Sequence, residues 1–362
     1  MTTPAAPRPP DPSLRELAAR DRLSVLLIRT SALGDIVQAL PVVAALRRHR
    51  PGWRVSWVIE ESFAPLLEGH RDIERLIAVR TKQWRPSPLS RRTLGELVKL
   101  RGALRASGAE VALDVMGNHK SAAIARLSGC PVRIGLAASE RREPSSAMWL
   151  SHRCRALGEH AVERSLSVLA PLGIPTDVVD FDGHRLCCDE PSPVAQKVPY
   201  IVLLPGAGWA NKEYPPQRWG QVGAALARQS GMRVVAITGP GEQRLGALTV
   251  AASEGLVEAL DVPSLPGLTA ALRGARLVLG GDTGPVHLAH ALKTPVVCVM
   301  GPTDPRLHGP WQAPESIVEK PLPCSYCHKR LDGPRLCLLG LPLEAVTARA
   351  LEVLASSADL LR

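Results

Sequence analysis

Aromatic side chains are scarce in this chain: two Phe, three Tyr and seven Trp among 362 residues. None of them interleaves with a basic run, which excludes the base-stacking platform of a single-strand nucleic-acid binder. Long apolar runs are absent as well. The longest, such as Val25–Ile28 and Val296–Met300, fall far short of the ~18 residues that a membrane-spanning helix requires. The opening residues, MTTPAAPRPPDPS, are rich in proline and lack the apolar stretch of a secretory signal. Eight cysteines, at 130, 154, 187, 188, 298, 324, 327 and 337, are too sparse for a disulfide scaffold in a chain of this size. Reduced thiols in a cytoplasmic protein are the expectation.

What is present points to phosphate. Apolar residues make up 45% and charged residues 22%, as in ordinary globular proteins, and the length suits about two domains. The 44 basic residues outnumber the 34 acidic ones, for a net charge of +10. Such an excess favours a polyanionic partner. With no nucleic acid expected, that partner is a phosphorylated substrate or an anionic membrane surface. Basic clusters at Arg47–Arg50, Lys82–Arg92 and Arg141-Arg142 all lie in the first half.

Short β-branched runs alternate with longer helical patterns, the signature of βαβ units and parallel sheets. Strands are expected at Ser24–Ile28, Arg54–Ile59, Val111–Asp114 and Val132–Gly135, with helices at Ile36–Arg48 and Thr93–Ala106. The pattern restarts with strands at Tyr200–Leu204, Arg233–Thr238, Leu277–Leu279 and Val296–Met300. Helices are expected between and after them at Pro216–Gln229, Glu242–Ala252, Leu268–Gly274, Val286–Ala291 and Leu343–Leu361. The implied organisation is a disordered lead-in (1–21), a first α/β domain (22–186), a polar linker (187–198), a second α/β domain (199–342) and a C-terminal helix (343–362). Ligands of such folds sit at the carboxyl ends of the strands.

Four segments carry chemistry. In IRTSALGDIVQALP, residues 28–41, Asp35 falls at a helix start, where a carboxylate either caps the helix or serves as a general base. In LLPGAGWANKEYPPQRW, residues 203–219, Gly206-Ala207-Gly208 follows a strand. Asn211 occupies the third glycine position of G-x-G-x-x-G, which argues against a dehydrogenase. Lys212 is either a surface lysine or a phosphate ligand. The next strand runs into TGPGEQR, residues 238–244, which offers Glu242 to a ribose hydroxyl. In LVLGGDTGPVHLAHAL, residues 277–292, Asp282-Thr283-Gly284 opens a helix carrying His287. Free backbone N–H groups there suit a diphosphate. The loop CSYCHKRLDGPRLC, residues 324–337, looks like a zinc knuckle, but lacks the second C-x-x-C pair of a closed tetrahedral site. No metal is expected at Cys324, Cys327 and Cys337.

Six motifs in order, TSALGDIVQALP (30–41), WVIEESFAPL (57–66), GNHKSAAIARL (117–127), RREP (141–144), HAVERS (160–165) and GDTGPVHLAHAL (281–292), resemble those of the ADP-heptose:lipopolysaccharide heptosyltransferases. This is glycosyltransferase family 9, and the likeness is greatest to its heptosyltransferase I branch. It covers about residues 22–355. The resemblance implies an α/β GT-B fold: two Rossmann-like domains with a deep inter-domain cleft, and a C-terminal helix packed back on the first domain. It implies an inverting enzyme that needs no metal or other cofactor, with Asp35 as catalytic base. Donor binding would fall to Lys212, Glu242, Asp282, Thr283, Gly284 and His287, and acceptor binding to Arg142, Lys120 and Arg85. The implied donor is ADP-L-glycero-D-manno-heptose and the acceptor the first Kdo of Kdo-lipid A. The implied location is peripheral, on the cytoplasmic face of the inner membrane. The family usually carries hydroxyl residues before the donor lysine, whereas this chain has Ala207, Gly208 and Trp209, which leaves more of the phosphate contact to backbone N–H groups. Alternatives are a family member with another nucleotide-sugar donor or acceptor (heptosyltransferase II-like), a nucleotide-sugar epimerase and a non-catalytic ADP-sugar-binding protein.

Overall fold

The computed structural model describes residues 12–84, 86, 90–194 and 198–359. Two compact units emerge: Met1–Ser31, Ala39–Ala64 and Gly69–Asp180 form one, and Ala32–Gln38, Pro65–Glu68 and Phe181–Arg362 the other. Ala32–Gln38 therefore belongs with the second unit, although it lies within the range expected for the first.

The first unit is built on β1 (Ser24–Ile28), β2 (Arg54–Glu60), β3 (Arg75–Val79), β4 (Val111–Asp114), β5 (Val132–Leu136) and β6 (His152–Cys154). They pair in parallel in the order β3-β2-β1-β4-β5-β6. The second unit repeats the plan with β7 (Tyr200–Leu204), β8 (Arg233–Thr238), β9 (Val257–Asp261), β10 (Leu277–Gly281), β11 (Val296–Met300) and β12 (Ile317–Glu319). Its order, β12-β11-β10-β7-β8-β9, is the same one read from the other edge. Both are the doubly wound order of Rossmann-like folds, in which the connection reverses direction between the first and fourth strands. The central strands β1, β7, β10 and β11 are buried along their whole length, because helices cover both faces of a parallel sheet.

Four strands escape sequence pattern: β3, β6, β9 and β12. All four are sheet edges. An edge strand is buried along only part of its length: β3 reads Arg-Leu-Ile-Ala-Val and buries only Ile77 and Val79, and β9 reads Val-Glu-Ala-Leu-Asp and buries only its first residue. The expected helix Ile36–Arg48 is two helices, Leu33–Val37 and Leu40–His49. Pro41 sits in the first turn of the second. It lacks an N–H, and its ring clashes with the carbonyl four residues back, so the first helix stops at Val37.

One expectation at the N-terminal end is corrected. Residues 12–18 of the lead-in form a helix, Pro12–Ala18, because Leu14 and Ala18 fall on one helical stripe and are buried. Beyond it, Arg20 pairs with Glu110 at 2.7 Å, and its carbonyl accepts from Trp53 Nε1. The C-terminal helix, Leu343–Asp359, uses its apolar stripe within the second unit. Val346 and Ala350 are fully buried in the core formed by Trp219, Val297 and Leu338. The end of the expected Leu343–Leu361 helix, and residues 1–11 of the lead-in, lie outside the described residues.

Candidate active site

In a doubly wound sheet, ligands gather at the carboxyl ends of the strands where the order reverses. In the second unit that point lies between β7 and β10. The turn after β7 delivers Lys212, and the turn after β10 delivers Asp282, Thr283 and Gly284. Lys212 closes a single helical turn, Ala210–Lys212, by donating its N–H to the Trp209 carbonyl at 2.9 Å.

Asp282 joins these turns. Its Oδ2 accepts from Lys212 Nζ at 2.5 Å and from the Thr303 hydroxyl at 2.7 Å, while Oδ1 faces His287 Nε2 at 3.1 Å. Burial by itself would raise this carboxyl. The hydrogen bond from His287 and the charge of Lys212 outweigh it and hold the group well below the usual carboxylate range. Asp282 is thus committed to orienting a lysine and a histidine. Thr283 precedes the helix Gly284–Ala291 without capping it, and its buried hydroxyl has no protein partner. With Pro285 lacking an N–H, the donors open at this helix start are the N–H groups of Gly284 and Val286.

Asp35 reaches the same neighbourhood from the start of the Leu33–Val37 helix. This helix and Gly284–Ala291 interlock through glycines. A β-carbon at Gly34 would stand 3.0 Å from His287 Cδ2, and one at Gly284 would stand 2.6 Å from Leu33 Cβ. Close approach of the two helix starts therefore requires glycine on both. The Asp35 carboxylate accepts from its own Ala32 N–H at 3.0 Å, which braces the first turn. Capping and a place beside the donor motif are compatible.

Glu242 begins the helix after β8, and its Oε2 accepts from Gly239 N–H at 2.9 Å. Its carboxylate lies so close to Gly206 that a β-carbon there would come within 2.1 Å of it. That contact explains the first glycine of the Gly206-Ala207-Gly208 turn. Position 208 meets nothing within 4 Å. Burial, followed by the nearby Glu242 charge, pushes up the Glu213 carboxyl.

Sequence pattern passed over Thr303, in the turn after β11, and His308, the last residue of the short helix Pro305–His308 that follows. Burial lowers the His308 imidazole below its ordinary 6.5 against the opposing charges of Asp282 and Asp35. The available signal was position alone, since GPTDPRLHGP directly follows the strand Val296–Met300.

In the first unit the corresponding carboxyl-end loops carry the acceptor candidates. Lys120 Nζ donates to Thr81 Oγ1 at 3.2 Å. The loop bearing Arg142 is tied to the start of the Lys120 helix, because Glu143 Oε2 accepts from His119 N–H at 2.6 Å and Ser145 Oγ meets His119 Nε2 at 2.9 Å. Arg142 is exposed. Its neighbour Arg141 is a structural residue, fully buried and paired with Asp114 at 2.5 Å. Arg85 lies outside the described residues. Cys324 and Cys327 are exposed and Cys337 is buried. Among the described residues, no group of three or more His, Cys, Asp or Glu side chains is placed to hold a metal ion.

Known proteins resemble this chain in sequence and fold. The family model for glycosyltransferase family 9 (heptosyltransferase) matches residues 97–334. Lipopolysaccharide heptosyltransferase 1 of Pseudomonas aeruginosa is 32% identical over 314 residues, covering 85% of this chain and 87% of that protein. The protein of the same name from Escherichia coli K12 is 30% identical over 304 residues, with 83% and 94% covered. Among solved structures, E. coli heptosyltransferase WaaC with ADP superposes with a TM-score of 0.71 at 31% identity, over 79% of this chain and 90% of that one. The WaaC structure with ADP-2-deoxy-2-fluoro heptose gives 0.73 at 27% identity, over 93% and 100%. With both sheets in the order of that fold and the motifs on the strand ends, the chain belongs to glycosyltransferase family 9, the heptosyltransferases, and is an enzyme of the GT-B fold.

Proposed function

We propose that this enzyme transfers a heptose from ADP-L-glycero-D-manno-heptose to the first Kdo of Kdo-lipid A, with inversion. The observation that carries the reading is the interlock of the Asp35 helix start with the Asp282–His287 helix start. A carboxylate on one helix start and a lysine, a hydroxyl and free N–H groups about the other would suit glycosyl transfer from a nucleoside diphosphate. The solved E. coli relatives contain ADP and ADP-2-deoxy-2-fluoro heptose, which supports the same donor here.

Asp35 takes the proton of the attacking Kdo hydroxyl, whose oxygen forms the new bond to the anomeric carbon. The bond from that carbon to the diphosphate breaks, and its electron pair stays on the departing ADP oxygen. Lys212, the Thr283 hydroxyl and the N–H groups of Gly284 and Val286 meet the growing negative charge. His287 and Asp282 orient this set, and Glu242 faces the ribose. In the first unit, Arg142 and Lys120, with Arg85, receive the acidic acceptor sugar. No step is assigned to a metal or other cofactor.

The lipid acceptor calls for peripheral binding at the cytoplasmic face of the inner membrane. No helix among the described residues is long and apolar enough to cross a membrane. The helix Arg91–Ala106 supports surface binding. Leu94 and Val98 are 47% and 72% exposed on it, one turn apart, among the exposed Arg91, Arg92, Lys99, Arg101 and Arg105. Apolar side chains within a basic face suit an anionic lipid surface. Release from anionic vesicles by high salt is expected; retention would contradict an electrostatic contact.

ADP release by the purified protein, with and without Kdo-lipid A and with EDTA present, tests the reaction. Release from ADP-heptose that requires the acceptor and survives EDTA is the expected result. Preference for a UDP- or GDP-sugar would overturn the donor assignment.

A further inference from the structure

Lys212 is not alone beside the donor motif. Its Nζ lies 4.5 Å from the centroid of the Trp209 ring, and the guanidinium carbon of Arg330 lies 4.5 Å from the same centroid. Trp209 therefore gathers two cations from segments more than a hundred residues apart. Arg330 arrives on the cysteine-bearing loop that follows β12, and that loop is fastened at this point. The buried Asn211 donates from Nδ2 to the Lys329 carbonyl at 2.7 Å, and His328 N–H donates to the Pro302 carbonyl at 3.0 Å. The His328 ring stands edge-on to His308 with centroids 5.3 Å apart. Two residues of the loop, Tyr326 and His328, have φ of +63° and +51°, a left-handed conformation that non-glycine residues seldom adopt. Such backbone persists where the surrounding structure enforces it, often at ligand sites.

Charge balance gives the arrangement a purpose. Lys212 is already neutralised by Asp282, so this pair brings no net positive charge to a leaving diphosphate. Arg330 is exposed, and the ring holds it beside Lys212 in spite of their like charge. The Thr283 hydroxyl, buried and without a partner, opens the helix whose motif Asp282 ties to Lys212. A cation, a donor hydroxyl and free N–H groups so disposed match phosphate oxygens, and a guanidinium meets two of them at once.

We propose that Arg330, held on Trp209, is a second cation of the diphosphate site: its guanidinium binds the terminal phosphate of the ADP moiety, and Trp209 is the positioning residue for both cations. This rests on the nucleotide-sugar reading above. It also accounts for the departure at 207–209, because an arginine from the distant loop supplies donors that Ala207 and Gly208 do not.

Titration calorimetry of the full-length protein with ADP and with AMP tests the proposal, because only ADP carries the phosphate that Arg330 binds. Arg330→Gln is expected to weaken ADP binding by roughly ten- to a hundredfold while changing AMP little. Arg330→Lys restores part of the loss. Trp209→Leu weakens ADP at least as much, and adding Arg330→Gln to it makes little further difference. An ADP affinity within about twofold of wild type for Arg330→Gln, or equal losses for ADP and AMP, would overturn the proposal and leave the donor reading intact. Wild-type protein that binds neither nucleotide would overturn the donor reading and this proposal with it. Unchanged thermal midpoints for the exposed Arg330 variants guard against misfolding as the cause of any loss.

Discussion

Gly34 lies against the imidazole of His287, so close that a β-carbon at position 34 would stand 3.0 Å from Cδ2 and 3.4 Å from the backbone of Gly284. One missing side chain thus sets the spacing between the helix start that carries Asp35 and the one that carries the donor motif. Gly34→Val is expected to push these apart and lower kcat by about 10²-fold. Overpacking at this site should lower stability by only ~1–3 kcal/mol. Rate measurements beside urea unfolding separate the two effects, and a Gly34→Val enzyme with full kcat would refute the spacing role.

Asp282 holds Lys212, Thr303 and His287 together. Asp282→Ala leaves the lysine nearly buried and without its counter-charge, which should cost ~3–5 kcal/mol of stability. The folded carboxyl lies below its ordinary 3.8. Its contribution is therefore present above that value and is lost only as pH falls through the lower folded one. Urea unfolding of wild type and Asp282→Ala between about pH 5 and 7 should give a constant difference; a difference that shrinks within that window would contradict the assignment.

His308 is likewise favoured in its deprotonated form, here the neutral one, since burial holds its imidazole below 6.5. The unfolded chain then binds more protons than the folded one as the pH drops below that value, so stability present above it is lost as the pH falls through the folded value. His308→Gln should flatten this part of a plot of Tm against pH. An unchanged slope would place the titration elsewhere.

Arg141 and Arg142 are neighbours in sequence with different tasks. Arg141→Ala strips a partner from the fully buried Asp114 and should destabilise by ~3–5 kcal/mol. Arg142→Ala, at an exposed position, should leave Tm unchanged and raise KM for the acceptor alone. Thermal melts and acceptor titrations of the pair test the distinction, and a normal acceptor KM for Arg142→Ala would remove it from the site.

The apolar centre of each sheet was legible because parallel strands buried on both faces need an uninterrupted run; Ser24–Ile28, Val111–Asp114, Tyr200–Leu204, Arg233–Thr238 and Val296–Met300 stand at the expected bounds. The edges were not, because residues such as Glu258 and Asp261 of β9 face solvent and break the pattern. Local sequence also marked Lys212 and Asp282 as strand-end residues. It could not reveal that they pair, since 70 residues separate them. The Trp209–Arg330 contact is longer range still, and Arg330 by itself reads as one more surface charge. For Asp35, cap and base remain indistinguishable in sequence. Only the glycine interlock with Gly284–Ala291 brings its helix to the donor motif.

Acceptor-dependent ADP release by wild type and Asp35→Asn, measured side by side with ADP affinity, tests the central claim most directly. If Asp35 is the base, the variant binds ADP like wild type and its kcat falls by roughly 10²–10⁴-fold. An Asp35→Asn enzyme that releases ADP at the wild-type rate would contradict the account.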